Sequence, residues 1–112
     1  MIEVGEGKKF DHSQIPTNPG VYIYKNLENE IIYIGKAKSL RKRVVSYFSK
    51  NSQYPKTELL VSKIAIIDWV VVDNEIEALL LENNLIKKHS PKYNINLKDS
   101  KTFAYIKLTD DK

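Results

Sequence analysis

The sequence predicts an α+β fold, on three observations. Two runs rich in β-branched and aromatic residues, 20–25 and 30–36, flank a polar turn. Apolar residues recur at helical spacing over 39–49 and again over 74–88. Between them, the apolar run 66–72 has the length and composition of a covered, central strand. A hairpin, helices and a third strand in that order give one sheet with helices laid on it.

Taken in order, residues 1–14 are polar and unpatterned and predict an irregular lead-in. Pro16, Pro19 and Gly20 then punctuate the start of the fold. The hairpin closes through Asn26-Leu27-Glu28-Asn29, a four-residue loop. That register sets Lys25 against Glu30 and Tyr22 directly against Tyr33, with Ile23 and Ile32 on the other, core-facing side. Ser39 stands at the N-cap of the next helix, whose apolar stripe is Leu40, Val44, Tyr47 and Phe48. Arg43 falls beside Tyr47 at the edge of that stripe, and Lys42, Ser46 and Ser49 take the outer face. After a loop at 51–55, residues 56–64 predict a short helix with Leu59, Leu60 and Ile64 inward. Asn74 and Glu77 resemble a capping box opening the last helix. Pro91 ends the regular pattern, and 92–101 is a basic loop that contains Asn94. Residues 103–108 alternate and predict a last strand or the start of an interrupted element. The expected organisation is a lead-in at 1–14, a domain at 15–106 and a truncated end at 107–112.

At 112 residues, 42% hydrophobic and 29% charged, the chain reads as one globular domain. Such a length buries roughly 65% of the unfolded surface, enough for one modest core. Its apolar runs are too short to span a membrane, and no signal peptide is read. With no cysteine, disulfides, thiol catalysis and cysteine–zinc sites are excluded, and a cytoplasmic location is the default. The net charge of +4 matters less than its distribution. Residues 31–57 contain no acid, while Lys36, Lys38, Arg41, Lys42, Arg43, Lys50 and Lys56 are basic. Asp73, Glu75, Glu77 and Glu82 gather later. A one-signed surface beside an acidic cluster suits a polyanion held against a metal, although a solvated helix face has the same pattern.

Glu82 is the most informative single residue. Around the helical wheel its neighbours are Ala78, Leu79 and Ile86, about 140° from the centre of the polar face. A carboxylate in an apolar sector must be paired, protonated or bound to metal, or else its side of the helix faces water. One carboxylate suits Mg²⁺ or Mn²⁺, which keep several waters and take further oxygens from a phosphate. That is a mode of phosphodiester hydrolysis. Tyr22 and Tyr33 are phenols with an ordinary pKa of about 10, which nearby cations such as Lys36 and Arg43 lower. Paired strand tyrosines are equally a packing feature. Gly35 removes a side chain next to Tyr33, which permits close approach of a ligand or marks a bulge. His12 and His89 lack metal-ligand spacing.

At these residues the chain resembles the GIY-YIG endonuclease family. More narrowly, it resembles the N-terminal catalytic domain of the excision-repair subunit UvrC. The matching stretches are 15–22, 33–43, 77–88 and 91–94, spread over about 15–106. Gly20-Val21-Tyr22 and Tyr33-Ile34-Gly35 carry the family, with Val21 at a position where isoleucine is usual. The two later stretches point to UvrC.

The resemblance implies a small three-stranded antiparallel sheet flanked by helices, and cleavage of double-stranded DNA with one Mg²⁺ or Mn²⁺ ion. It implies that Tyr33 activates water, Tyr22 orients it, Arg43 stabilises the charged transition state and Glu82 is the sole protein metal ligand. Lys36, Tyr47 and Asn94 match further active-site positions, Lys36 a catalytic one. Lys36, Lys38, Arg41, Lys42, Arg43, Tyr47 and Asn94 are the expected DNA-facing set. In UvrC the domain makes the 3′ incision of nucleotide excision repair. Contacts with other repair subunits are expected through regions outside this chain, which reads as a piece of a longer protein or a short stand-alone homologue. A non-catalytic DNA-binding module and a repair-complex interaction module are the alternatives. Loss of Tyr33, Arg43 or Glu82 would favour them, and all three are present.

Overall fold

The computed structural model describes residues 1–49 and 55–94. The expected strand at 103–108 and most of the 92–101 loop lie outside them. The strands are β1 (Ile2–Glu3), β2 (Gly20–Lys25), β3 (Ile31–Ala37) and β4 (Ile66–Val71). The helices are α1 (Leu40–Tyr47), α2 (Pro55–Lys63) and α3 (Glu75–His89). The sheet is antiparallel in the order β1-β4-β2-β3. It therefore has four strands among the described residues where three were expected. The additional strand comes from the lead-in: Ile2 and Glu3 pair with Ile67 and Ile66, and Ile2 is buried. No local pattern announces a two-residue strand whose partner lies far along the chain.

Each sheet face carries a core. On one, Tyr22, Tyr24 and Ile67 meet Leu40, Val44 and Tyr47 of α1, with Leu60 and Ile64 beneath α2. On the other, Val21 and Ile34 meet Ala78, with Leu81, Leu85 and Ile86 of α3 packed around them. Leu59 is exposed rather than inward, and Val61 packs in its place. Strand β4 is central in pairing, but Val70 and Val71 at its end are exposed, so it is not covered throughout.

The hairpin register differs from the expected one. Tyr22 pairs with Gly35, Ile23 with Ile34 and Tyr24 with Tyr33, while Lys25 pairs with Ile31. The register shifts there, so Ile32 is an extra residue in β3, a bulge. The bulge sends Ile32 to the tyrosine side and leaves Ile31 beside Ile23. Lys25 pairs with Asp68 on β4 at 3.8 Å, and Glu30 accepts from Asn26 Nδ2 instead. Beyond the bulge the register differs from the expected one by two residues, which keeps Tyr33 on its expected face. Tyr22 and Tyr33 therefore still share a face although they are not opposite one another.

The caps also show how the chain is stapled. Asn74 Oδ1 accepts from Glu77 N, as expected, while Glu77 Oε1 accepts from Asp73 N. Ser39 sits at the N-cap of α1 but its hydroxyl makes no cap bond. Instead Leu40 and Arg41 donate their amides to the carbonyls of Asn18 and Pro16.

Gly35 has a steric reason. A Cβ there would overlap the end of the Tyr22 ring, which is fully packed and cannot withdraw. Gly35→Ala should therefore destabilise the domain by about 1–3 kcal/mol, the usual cost of overpacking. A lower urea midpoint at unchanged m-value checks this; an unchanged midpoint would show that the ring can move.

Candidate active site

The two β2 tyrosines, Tyr33 of β3 and Tyr47 of α1 form one aromatic cluster. Ring centroids lie 5.2 Å apart for Tyr22–Tyr24, 5.5 Å for Tyr22–Tyr47 and 6.1 Å for Tyr33–Tyr47. The Tyr22 and Tyr47 hydroxyls are 2.8 Å apart and hydrogen-bonded. Arg43 donates from Nε to the Tyr22 hydroxyl at 3.4 Å, and its guanidinium lies 5.3 Å from the centre of the Tyr47 ring. The guanidinium is thus fixed by a hydrogen bond and a cation–π contact. The Arg43–Tyr47 adjacency was visible in helical spacing. Tyr24 was not singled out, although it follows Tyr22 by two residues and so had to share its face.

Arg43 lowers the phenol pKa values as expected, but burial outweighs it and the net shift is upward. Burial, reinforced by the charge Tyr33 would carry, pushes Tyr22 up to about 12 against the helping contacts of Tyr47 and Arg43. Burial first, then Tyr47 and the Glu82 carboxylate, push Tyr33 up as well. Tyr47 and Tyr24 are raised for the same leading reason. A single guanidinium cannot offset desolvation of a whole phenol cluster. Near neutral pH these phenols are neutral hydrogen-bonding groups. Arg43 is held firmly protonated, chiefly by its bond to Tyr22.

Glu82 stands on α3 at the margin of the helix's packed stripe and is half-buried. It forms no hydrogen bond or ion pair with a described residue, and its charge reaches Tyr33. Among the described residues no group of three His, Cys, Asp or Glu side chains could hold a metal. A lone hard carboxylate open to water fits an ion that keeps most of its waters. Lys36 is exposed on the α3 side of β3 and lines a cleft with Arg43.

Three residues expected to face DNA are used otherwise. Arg41 donates from Nε to Ile15 O at 2.8 Å and from Nη2 to Ser13 O at 3.0 Å, which straps the N-terminal segment to α1. Asn94 is 1% exposed. Its amide accepts from Ile34 N and donates to Ile34 O, both at 2.7 Å, imitating a neighbouring strand on the outer edge of β3. Tyr47 is buried behind Arg43. Lys36, Lys38 and Lys42 are exposed; Lys38 is paired with Glu75 at 4.0 Å, while Lys36 and Lys42 form no ion pair with a described residue.

Residues 18–95 match the family model for the UvrC-like GIY-YIG domain. The chain is 61% identical over 99 residues to UvrABC system protein C of Methanococcus maripaludis, covering 88% of this chain and 19% of that protein. It is 60% identical over 94 residues to the protein of that name from Bacteroides fragilis, covering 84% and 16%. It thus spans about a fifth of the length of such relatives. Among solved structures it resembles the GIY-YIG N-terminal endonuclease domain of UvrC from Thermotoga maritima, bound to its catalytic divalent cation, magnesium. That likeness has a TM-score of 0.64 at 48% identity, over 70% of this chain and 85% of that one.

Two predictions follow from the cluster's chemistry. The Tyr24 hydroxyl is buried with no hydrogen-bond partner among the described residues. Tyr24→Phe should be neutral or stabilising by up to about 1 kcal/mol, since it removes an unsatisfied polar group; a marked loss in thermal midpoint would reveal a hidden partner. Raised phenol pKa values also fix the alkaline limit. The unfolded chain gives up its phenol protons first, from the ordinary value of 10.0, whereas Tyr22 holds its proton to about 12. Stability is therefore complete below about pH 10 and falls as pH rises toward 12. Chemical denaturation at stepped pH should show that decline, and a flat profile across this window would exclude it.

Proposed function

Since the chain belongs to the UvrC-like GIY-YIG domain family, we propose that it is a metal-dependent endonuclease domain that hydrolyses a DNA phosphodiester. The observation that supports this is an arginine fixed among neutral phenols, with a half-buried carboxylate on α3 whose charge reaches Tyr33. Glu82 would hold one Mg²⁺ or Mn²⁺ ion, with waters and phosphate oxygens completing its shell. When bound, that ion supplies Lewis-acid stabilisation of phosphate charge and lowers the pKa of water.

The chain's own residues have distinct tasks in this reading. Arg43 has one nitrogen committed to Tyr22 and its plane against Tyr47, which leaves its other N–H groups for a phosphate. A donor placed before charge develops costs no reorganisation as the reaction proceeds. Tyr33 accepts the attacking water's proton through its oxygen and releases its own hydroxyl proton to solvent. A neutral phenol both donates and accepts, so its raised pKa does not bar that relay. Tyr22 holds Arg43 and Tyr47 in place. Lys36 adds positive charge at the mouth of the site.

The substrate and biological step extend the same reading. Relatives of this chain are named as components of the UvrABC system. We assign to this domain the 3′ incision of nucleotide excision repair on double-stranded DNA, in the cytoplasm. Other repair subunits would engage through regions beyond the matched fifth of the relatives. No helix among the described residues is long and apolar enough to cross a membrane.

The test is nicking of damaged duplex by the purified chain with Mg²⁺ or Mn²⁺. Glu82→Gln should abolish nicking and divalent-metal binding while circular dichroism stays unchanged; retained metal affinity would sink its assignment. Arg43→Ala should slow single-turnover cleavage by about 10²–10³-fold, as loss of one oxyanion donor does. Tyr33→Phe should slow it by about 10²–10⁴-fold. A near-full rate for Tyr33→Phe would make that phenol structural.

A further inference from the structure

Next to the tyrosine cluster lies an open cleft of about 510 Å³, between the end of β3, α1 and the first turns of α3. Lys36 and Arg43 line both it and the candidate site. Beyond them it is bounded by Lys38 and Lys42 and, from α3, by Glu75. Lys38 Nζ and Glu75 Oε2 stand 4.0 Å apart, with both side chains exposed. Lys36, Lys42 and Arg43 form no ion pair with a described residue. Two first-turn amides of α1 are already committed, since Leu40 and Arg41 donate to Asn18 and Pro16. What remains is a cationic recess whose one acid is paired with one of its lysines.

Resting on the endonuclease reading above, we propose that this cleft holds a backbone phosphate adjacent to the scissile one, and that Glu75, paired with Lys38 in the free protein, competes with it. Lys38 and Lys42 receive the phosphate. As the strand enters, Lys38 exchanges a carboxylate for a phosphate. An exposed ion pair is weak, so that exchange is easy. Glu75 does not leave, because it opens α3 directly after the N-cap Asn74. Its charge stays within a Debye length of the bound phosphate, about 8 Å at physiological salt, and subtracts from affinity. Glu75 is therefore an affinity-limiting residue of the DNA groove. Arg41 is not part of this subsite, since its guanidinium is committed to the N-terminal segment.

The test is titration of the 112-residue chain onto a short labelled duplex, at several salt concentrations, in EDTA so that no cleavage occurs. Glu75→Gln should bind about three- to tenfold tighter at low salt, with the gain shrinking as salt rises. Glu77→Gln is the control. It removes an equal charge from the same helical turn but outside the cleft, and its amide can still accept from Asp73 N. It should leave affinity near that of the unaltered chain. Lys38→Ala and Lys42→Ala should each flatten the slope of log affinity against log salt by about one unit. In the Lys38→Ala background the gain from Glu75→Gln should fall. A Glu75→Gln chain that binds no tighter than Glu77→Gln overturns the proposal, as does an equal gain with and without Lys38. Binding is read here without chemistry. Absence of nicking would overturn the endonuclease reading alone, whereas an inert Glu75→Gln in a nicking-competent chain would overturn only this one.

Discussion

The end of the Tyr22 ring lies directly on the backbone of Gly35, and much of the site follows from that contact. Only a residue without a Cβ admits the ring, and only a ring lying there places its hydroxyl within reach of both Tyr47 and Arg43. Tyr47 in turn carries the guanidinium on its face. The arginine's position thus depends on a missing methyl group on the neighbouring strand. The glycine had suggested room for a ligand. The room exists, but the protein fills it with its own phenol. Open space lies instead at the periphery, in the cleft lined by Lys36 and Arg43.

That division between a packed interior and a charged margin governs the electrostatics. Gathering phenols into one cluster raises each of them, because every neighbour adds both desolvation and a potential like charge. Arg43 opposes this without prevailing. The phenols therefore serve as rigid, neutral donors and acceptors, and net charge is left to Arg43, Lys36 and Glu82. Such an arrangement suits a phosphate. Neutral groups orient without repelling it, and the formal charges stand apart from the packed phenols.

The sequence made the local parts of this legible. Periodicity showed the stripe of α1, the Arg43–Tyr47 adjacency and the Asn74–Glu77 cap, each of which involves residues within one or two turns. What it did not show was long-range. The pairing of Ile2 and Glu3 with β4, the Arg41 strap and the Asn94–Ile34 bonds join residues far apart in the chain. In each case the residue type fits several uses, and only the fold selects one. The bulge at Ile32 was hidden for another reason. Ile31 and Ile32 are alike, so alternation could not say which one faces the tyrosines. Glu82, by contrast, was visible because a carboxylate in an apolar sector conflicts with its surroundings. Its role required the family resemblance.

Tyr33 belongs to β3, an edge strand, and edge strands are the least constrained part of a sheet. Glu82 belongs to α3, which packs on the opposite face from the tyrosine cluster. Both ends of that helix are tied to the sheet region. Just before it, Val72 donates to Pro19 O, and Asn74 caps its first turn. Beyond its far end, Asn94 bonds both backbone groups of Ile34, the residue between Tyr33 and Gly35. The segment carrying the carboxylate is thereby clamped to the strand carrying the phenol, by an amide that is almost wholly buried. A displacement of β3 relative to α3 would have to break two 2.7 Å hydrogen bonds in a dry environment, where unsatisfied backbone groups are costly. Asn94 was expected at the DNA surface. From the interior it instead holds Tyr33 and Glu82 in register across the sheet, which the chemistry proposed for them requires.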